Sequence, residues 1–272
     1  MNRILCIKWG TKYSADYVNR LQKMLERHTT QPFELHCFTD QAEGIFEEIF
    51  THPLPELGCE IPKTVPGKFP KIALWGNEID LSPGPALFID LDTVIVGNID
   101  SYFEIGEEHD VFLAKNWAKP FTGLGQTSVF RFPIKGHTYI LENLRKNTRE
   151  LAEKYRFEQH YVTKNVQPAV KFWPDKWTKH FRLHCMGPWP LRYLKEPTCP
   201  EGAKIITFPG MPDPYHAVER QFFDSYPKQL NRLDYIKECG RICPVGSKDW
   251  WSRIKGYVGD TDWLKDLSLI HI

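Results

Sequence analysis

Two aspartates separated by one residue, Asp90 and Asp92, lie within the run Ala86-Leu87-Phe88-Ile89-Asp90-Leu91-Asp92-Thr93-Val94-Ile95-Val96. Leu87, Phe88 and Ile89 form a continuous apolar stretch entered from Pro83-Gly84-Pro85, which is how a strand buried on both faces of a parallel sheet reads. Side chains two apart on a strand share a face, roughly 6.5 Å apart along the chain. Both carboxylates are therefore expected to aim at one point beyond the carboxyl end of the strand, where open α/β sheets bind their ligands. Two unpaired carboxylates would repel there. A hard divalent cation, Mg²⁺ or Mn²⁺, resolves the conflict by taking one or two carboxylates and filling its shell with phosphate oxygens and water. The chemistry expected of the pair is a metal–phosphate site. The plainer alternative is a strand-to-turn junction whose aspartates cap nearby backbone amides.

The elements that would position this pair can be read in order. Arg3 to Ile7 reads as a first buried strand, followed by the loop Lys8-Trp9-Gly10-Thr11-Lys12-Tyr13. Tyr17/Val18, Leu21 and Met24/Leu25 recur at helical spacing behind Ser14 as N-cap. Phe33 to Phe38 reads as a second strand ending at Thr39-Asp40. This strand–loop–helix–strand start is half of a nucleotide-binding α/β unit, without G-x-G-x-x-G or a P-loop. Phe69 to Ile79 reads as a short helix with Lys71 and Trp75 on one face. Asn98-Ile99-Asp100 should turn into a short helix, and Asp110 to Ala114 and Gln126 to Phe132 read as further strands around a Gly-rich loop, Asn116 to Gly125. Residues 138–156 carry Ile140, Leu144, Leu151 and Tyr155 on one stripe, a surface helix, with Glu158-Gln159 just behind it. Lys204 to Phe208 is the last clear strand, before the turn Pro209-Gly210-Met211-Pro212-Asp213-Pro214. Residues 173–200, dense in Trp, Pro, His and basic groups, are expected as a loop-rich wall rather than a second domain.

Lys71-x-x-x-Trp75 followed by Leu87-Phe88-Ile89-Asp90-Leu91-Asp92-Thr93-Val94-Ile95-Val96-x-Asn98-Ile99-Asp100 resembles a known family, the nucleotide-sugar-dependent glycosyltransferases of the GT-A fold. Within it the chain looks like the glycogenin and lipopolysaccharide-galactosyltransferase group and its bacterial relatives. The resemblance implies a single GT-A α/β domain, Rossmann-like with a mostly parallel central sheet, over residues 1–266, its nucleotide-binding half about 1–105 and its acceptor half about 106–266. It implies transfer of a sugar, from a UDP-sugar donor, to a glycan or glycolipid acceptor, with a lean towards retention. Asp90 and Asp92 would hold Mn²⁺ or Mg²⁺ against the donor diphosphate. Tyr13 falls where the family stacks a tyrosine on uracil, and Asp40 ends the strand bordering the base. Lys71 would meet the diphosphate or the sugar, and Glu158-Gln159 resembles an Asp-Gln pair beside the transferred sugar. Lys8 and Gly210, the latter in a turn resembling Gly-x-x-Lys-Pro, complete the expected donor-binding set. The sequence departs from the family at three places. Thr207 stands at the position of the metal-ligating histidine, Asp213 at that of the turn lysine, and Gln126-Thr127-Ser128 at that of Asn-Ser-Gly. His184 and His216 are the alternative candidates for a third metal ligand, and Glu158 or Asp213 for a base.

Rival readings are fewer. Asp90-Leu91-Asp92-Thr93-Val94 also fits the nucleophile strand of a haloacid-dehalogenase-type phosphatase, but that strand normally opens its domain, and Gly259-Asp260 lacks the second aspartate of the late acidic motif. A GT-A domain that binds nucleotide sugar or glycan without turnover is the non-enzymatic reading. The spacings of Cys185, Cys199, Cys239, Cys243 and His184 match no closed zinc pattern, so free thiols are expected. The chain's 272 residues, 42% hydrophobic, suit one α/β domain, and with a net charge of +1 nothing suggests nucleic acid as the main partner. No run approaches the ~18 apolar residues of a membrane span, the apolar part of Met1 to Ile7 is too short for a secretory signal to be expected there, and seven scattered cysteines suggest a reducing, cytoplasmic setting. Trp250-Trp251-Ser252-Arg253-Ile254-Lys255-Gly256-Tyr257 mixes aromatics and cations; it reads either as a helix packed by its tryptophans or as a seat on the inner face of an anionic membrane. Leu267-Ser268-Leu269-Ile270-His271-Ile272 reads as one frame of a sequencing adaptor, so 267–272 is expected to be a non-native tail.

Overall fold

The computed structural model describes residues 1–66 and 69–268, the last three of these by backbone alone, so most of the expected tail lies outside the described residues. The chain groups into two compact units. The first comprises Met1–Gln22, Thr29–Leu91 and Asn98–Asp175; the second comprises Lys23–His28, Asp92–Gly97 and Lys176–Ile272.

The first unit is built on a seven-stranded sheet of order β3-β2-β1-β4-β7-β6-β8. Its strands are β1 (Asn2–Lys8), β2 (Phe33–Thr39), β3 (Phe50–His52), β4 (Gly84–Ile89), β6 (Phe112–Lys115), β7 (Gly125–Ile134) and β8 (Lys171–Phe172). β1 runs parallel to both β2 and β4, with Ile4 opposite Leu87, and β7 runs antiparallel to β4 and β6. Helix α1 (Ala15–His28) crosses from β1 to β2 and buries Val18, Leu21, Met24 and Leu25, the expected stripe. Ser14 is its N-cap residue, although the Ser14 hydroxyl donates to the Asp16 carboxylate at 3.1 Å and makes no bond to the helix amides. β4 is central and wholly apolar, as its sequence demands. The turn into it is tied by the Arg3 guanidinium, which donates to the carbonyl oxygens of Ser82 and Pro83. Gly84 sits there at φ +129°, a conformation that a side chain resists.

Two helices differ from expectation. The segment read as a helix over 69–79 is a 3₁₀-helix, Phe69–Trp75. With three residues per turn, positions four apart diverge by about 120°. Lys71 and Trp75 therefore do not share a face: Trp75 packs on Phe130 and Phe132 in the core, while Lys71 turns to the ends of β4 and β7. The single helix expected over 138–156 is two, α3 (Tyr139–Lys146) and α4 (Thr148–Tyr155), parted at Asn147 with φ −132° and ψ 39°. The Thr148 hydroxyl donates back to the Leu144 carbonyl at 2.8 Å, a local bond that competes with helix propagation. The predicted stripe survives the break, since Ile140, Leu144, Leu151 and Tyr155 all reach the core that holds Phe88 and Phe130. Helices α2 (Ser101–Glu104) and α5 (Glu158–Asn165) complete this unit.

The second unit holds a three-stranded sheet, β5 (Thr93–Ile95), β10 (Ile205–Thr207) and β9 (Thr178–His180), in that order. A π-helix, Phe181–Cys185, follows β9, and the helices are α6 (Pro214–Val218), α7 (Arg232–Ile242), α8 (Lys248–Lys255) and α9 (Asp262–Ser268). Ser247 caps α8 by accepting the Trp250 amide at 3.1 Å. Trp250 packs against the cluster of Tyr235, Cys239, Ile254 and Tyr257, whereas Trp251 is exposed, so one of the two tryptophans packs as expected. All seven cysteines are free, as their spacing predicted. Among the described residues no helix is long and apolar enough to cross a membrane.

Candidate functional site

The expectation that Asp90 and Asp92 share one face of a strand is not met, because β4 stops at Ile89. Asp90 adds one rung beyond it, its amide donating to the Ser128 carbonyl at 2.8 Å; Asp92 lies in a bend, and its carbonyl accepts the Phe208 amide at 3.0 Å. Both aspartates are half-buried, and the chain turns between them.

At the carboxyl edge of β4 the first unit assembles a charged cluster. The buried Lys71 ammonium donates to Asp90 Oδ1 at 2.7 Å and to the Thr127 carbonyl at 3.0 Å, and it lies 4.6 Å from the centre of the Phe88 ring. The Thr127 hydroxyl donates to Glu158 Oε2 at 2.8 Å. Glu158 opens α5 and is buried. Burial pushes its carboxyl up to about 7, and the nearby Asp90 charge adds to this, against the Lys71 charge and the Thr127 bond. Its Oε1 is buried without a hydrogen-bond partner among the described residues. Gln159, beside it, is half-buried. Sequence reasoning placed Lys71, Asp90 and Glu158 in one site. It noted Thr127 only as a departure from the family pattern and missed that its carbonyl and hydroxyl join the lysine to the glutamate.

A second feature of the same unit lies at the end of β1. A cavity of about 360 Å³ is lined by Lys8, Gly10, Thr11, Tyr13, Ser14, Ala15, Gln41 and Glu43. Lys8 and Tyr13 were expected near a donor. Asp40 does not line the cavity; its Oδ2 accepts the Gly10 amide at 2.9 Å and so holds the loop that does. Tyr13 is half-buried, its ring 4.9 Å from that of Tyr17 and its hydroxyl bonded to the Lys12 ammonium.

In the second unit, Gly210 takes φ +89° in the Pro-rich turn, and a Cβ there would meet nothing within 4 Å. Asp213, considered as a base, is the N-cap of α6 and accepts the His216 amide at 3.0 Å. His216 is buried with Nδ1 2.6 Å from Asp213 and Nε2 3.0 Å from Asp224, so both ring nitrogens face carboxylates. His184 Nδ1 accepts the His180 amide at 2.9 Å. The Thr207 hydroxyl, fully buried, donates to the Lys179 carbonyl. The same His184 nitrogen lies 3.1 Å from the His180 carbonyl. No group of three His, Cys, Asp or Glu side chains suited to a metal occurs among the described residues. Of the residues expected to hold a divalent cation, Asp90 and Asp92 each offer hard carboxylate oxygens, the donor chemistry of an ion that takes its other ligands from phosphate and water.

No protein-family model and no curated protein matches the sequence. Solved structures do. The galactosyltransferase LgtC, in complex with donor and acceptor sugar analogs, superposes with a TM-score of 0.57 at 10% identity over 92% of this chain and 99% of its own. An active-site mutant of LgtC gives 0.53 at 11% identity over the same shares. The apo structure of the bifunctional glycosyltransferase WbbM gives 0.53 at 11% identity, over 98% of this chain and 51% of its own. The fold is GT-A, as the resemblance implied.

Proposed function

We propose, from a GT-A fold whose central strand ends in the Lys71–Asp90 pair beside a buried Glu158, that this chain transfers a sugar from a nucleotide-sugar donor to a glycan or glycolipid acceptor. The observation that carries the reading is that cluster. A transition state with oxocarbenium character and a leaving diphosphate is helped by fixed positive charge at the departing oxygen and by a carboxylate that can take the acceptor proton. Lys71, held by Asp90 and the Thr127 carbonyl, supplies preorganised positive charge without reorganising at the moment of reaction. Asp90 and Asp92 would hold Mn²⁺ or Mg²⁺, which when bound neutralises charge on the diphosphate. Glu158, ionised above about pH 7, accepts the proton of the acceptor hydroxyl. Tyr13 would stack on the base, over the cavity at the end of β1. The finer reading is a hexosyl group carried by UDP and transferred with retention; the quoted motifs support it, and the anomeric configuration of the product tests it.

The same reading places the enzyme in the cytoplasm, resting on the inner face of a membrane. Trp189, Leu191, Leu194 and Trp251 are exposed, and the Lys255 ammonium lies 5.7 Å from the Trp189 ring. Co-sedimentation with anionic but not zwitterionic vesicles is expected. For catalysis, the test is donor turnover with Mn²⁺ and with chelator, in the wild type and in Asp90→Asn and Asp92→Asn. Both variants should fold and lose turnover. Full activity in chelator would remove the metal from the proposal, and release of phosphate from sugar phosphates without donor turnover would favour a phosphatase.

A further inference from the structure

Lys8 is a buried lysine with little to hold it. Only 3% of its surface is exposed. Among the described residues its ammonium has one hydrogen-bond partner, the Gln41 carbonyl at 3.2 Å, and no carboxylate within ion-pair distance. A buried ammonium carries three donors, and leaving them unmet is costly unless an acceptor arrives. Lys8 ends β1 and lines the 360 Å³ cavity together with Gln41, its one partner, and with Tyr13. The cavity thus joins an aromatic ring, able to stack on a flat heterocycle, to a cation able to donate at its edge.

Resting on the reading of this cavity as the seat of the donor base, we infer that Lys8 selects the base by donating to an exocyclic carbonyl oxygen. Uracil carries such an oxygen where cytosine carries an amino group, and hypoxanthine carries one where adenine carries an amino group. The ammonium meets an acceptor in the keto base and a like-polarity donor in the amino base. A site built to hydrogen-bond one edge rejects the analogue lacking it, because a buried group is then left unpaired. Lys8 is in this respect a specificity residue, distinct in role from the Lys71–Asp90 cluster.

The test measures dissociation constants of UDP, CDP, IDP and ADP on the full chain by calorimetry, in matched pairs so that ring size cancels. UDP should bind about tenfold or more tightly than CDP, and IDP than ADP. In Lys8→Met both ratios should fall towards one while UDP still binds. Equal affinities within each pair in the wild type would overturn the inference even if Lys8→Met fails to fold, as would a Lys8→Met chain that weakens all four nucleotides alike, since that would mark a phosphate contact. Nucleotides that bind without preference would remove only the role of Lys8. A chain that binds none of the four would remove the donor reading and this inference with it.

Discussion

Glu158 shows what a single residue contributes beyond its place in a motif. Its carboxyl is pushed up to about 7 from an ordinary 4.5, chiefly by burial. The folded state therefore holds the proton more tightly than the unfolded one. The resulting stability is fully present below about pH 4.5 and is lost as pH rises through about 7. Glu158→Gln should remove this dependence and stabilise the fold at pH 8 by roughly 3 kcal/mol at most. Turnover should fall at least a hundredfold, and the wild-type rate should rise through pH 7 as the base ionises. Urea denaturation at pH 5 and pH 8, beside a pH–rate profile, checks both; a variant no more stable at pH 8 would refute the buried charge. Lys71→Met should fold and lose turnover by about 10²-fold, because it removes preorganised positive charge. An unchanged rate would confine Lys71 to holding Asp90. The motif gave away Lys71, Asp90 and Glu158 as neighbours, since a lysine helix and a strand ending in Asp-x-Asp are local patterns. It did not give away the burial of Glu158, because burial depends on β7 and α5 packing together, and neither records that in its own residues.

Elements were legible where a local pattern suffices. β1, β2, β4 and β10 are apolar runs with turn residues at their ends, and α1 is a clean stripe behind Ser14. The break at Asn147 was not legible, because Ile140, Leu144, Leu151 and Tyr155 keep helical phase across it. The three-residue strands β3, β5 and β9 carry too few residues to show any period. β3 is also sensitive to pH. It is an edge strand, with His52 on it and His36 on β2 joined through Nδ1 and Nε2 at 3.0 Å. Burial lowers the pKa of both rings, and for His36 the neighbouring His52 charge lowers it further. One proton can be shared across that bond; two cannot. The unfolded chain takes up protons first, so the pairing is intact above about pH 6.5 and weakens as pH falls below it. Hydrogen exchange at the amides of residues 50–52, corrected for intrinsic rates, should be faster at pH 5 than at pH 7.5. In His52→Phe the difference should vanish, and a wild type with equal protection at both pH values would refute the coupling.

At the scale of the whole molecule, the two compact units are threaded through each other in sequence, and this no local pattern could announce. Lys23–His28, the end of α1, and Asp92–Gly97, which contains β5, group with residues 176–272. We propose that the chain nonetheless folds as the single cooperative domain its length suggests, because neither unit is a continuous piece of chain. β5 shows why. Thr93, Val94 and Ile95 are all buried, and among the described residues the strand that pairs with β5 is β10, Ile95 opposite Ile205 and Thr93 opposite Thr207. A chain ending at residue 175 would keep β5 and lose its ladder and every layer of the unit around it. Unpaired backbone and exposed Val94 and Ile95 would then follow directly on Asp90-Leu91-Asp92, and the last turns of α1 would bare Met24 and Leu25. A domain of this size holds only about 5–15 kcal/mol of net stability, and the loss of one unit's packing exceeds that margin. The expected outcome is that residues 1–175 express as aggregate or as a compact state without near-ultraviolet circular dichroism, while the full chain unfolds in urea with one transition by tryptophan fluorescence and by far-ultraviolet circular dichroism. A soluble 1–175 fragment that unfolds cooperatively and binds UDP as the full chain does would show the first unit to be a domain in its own right.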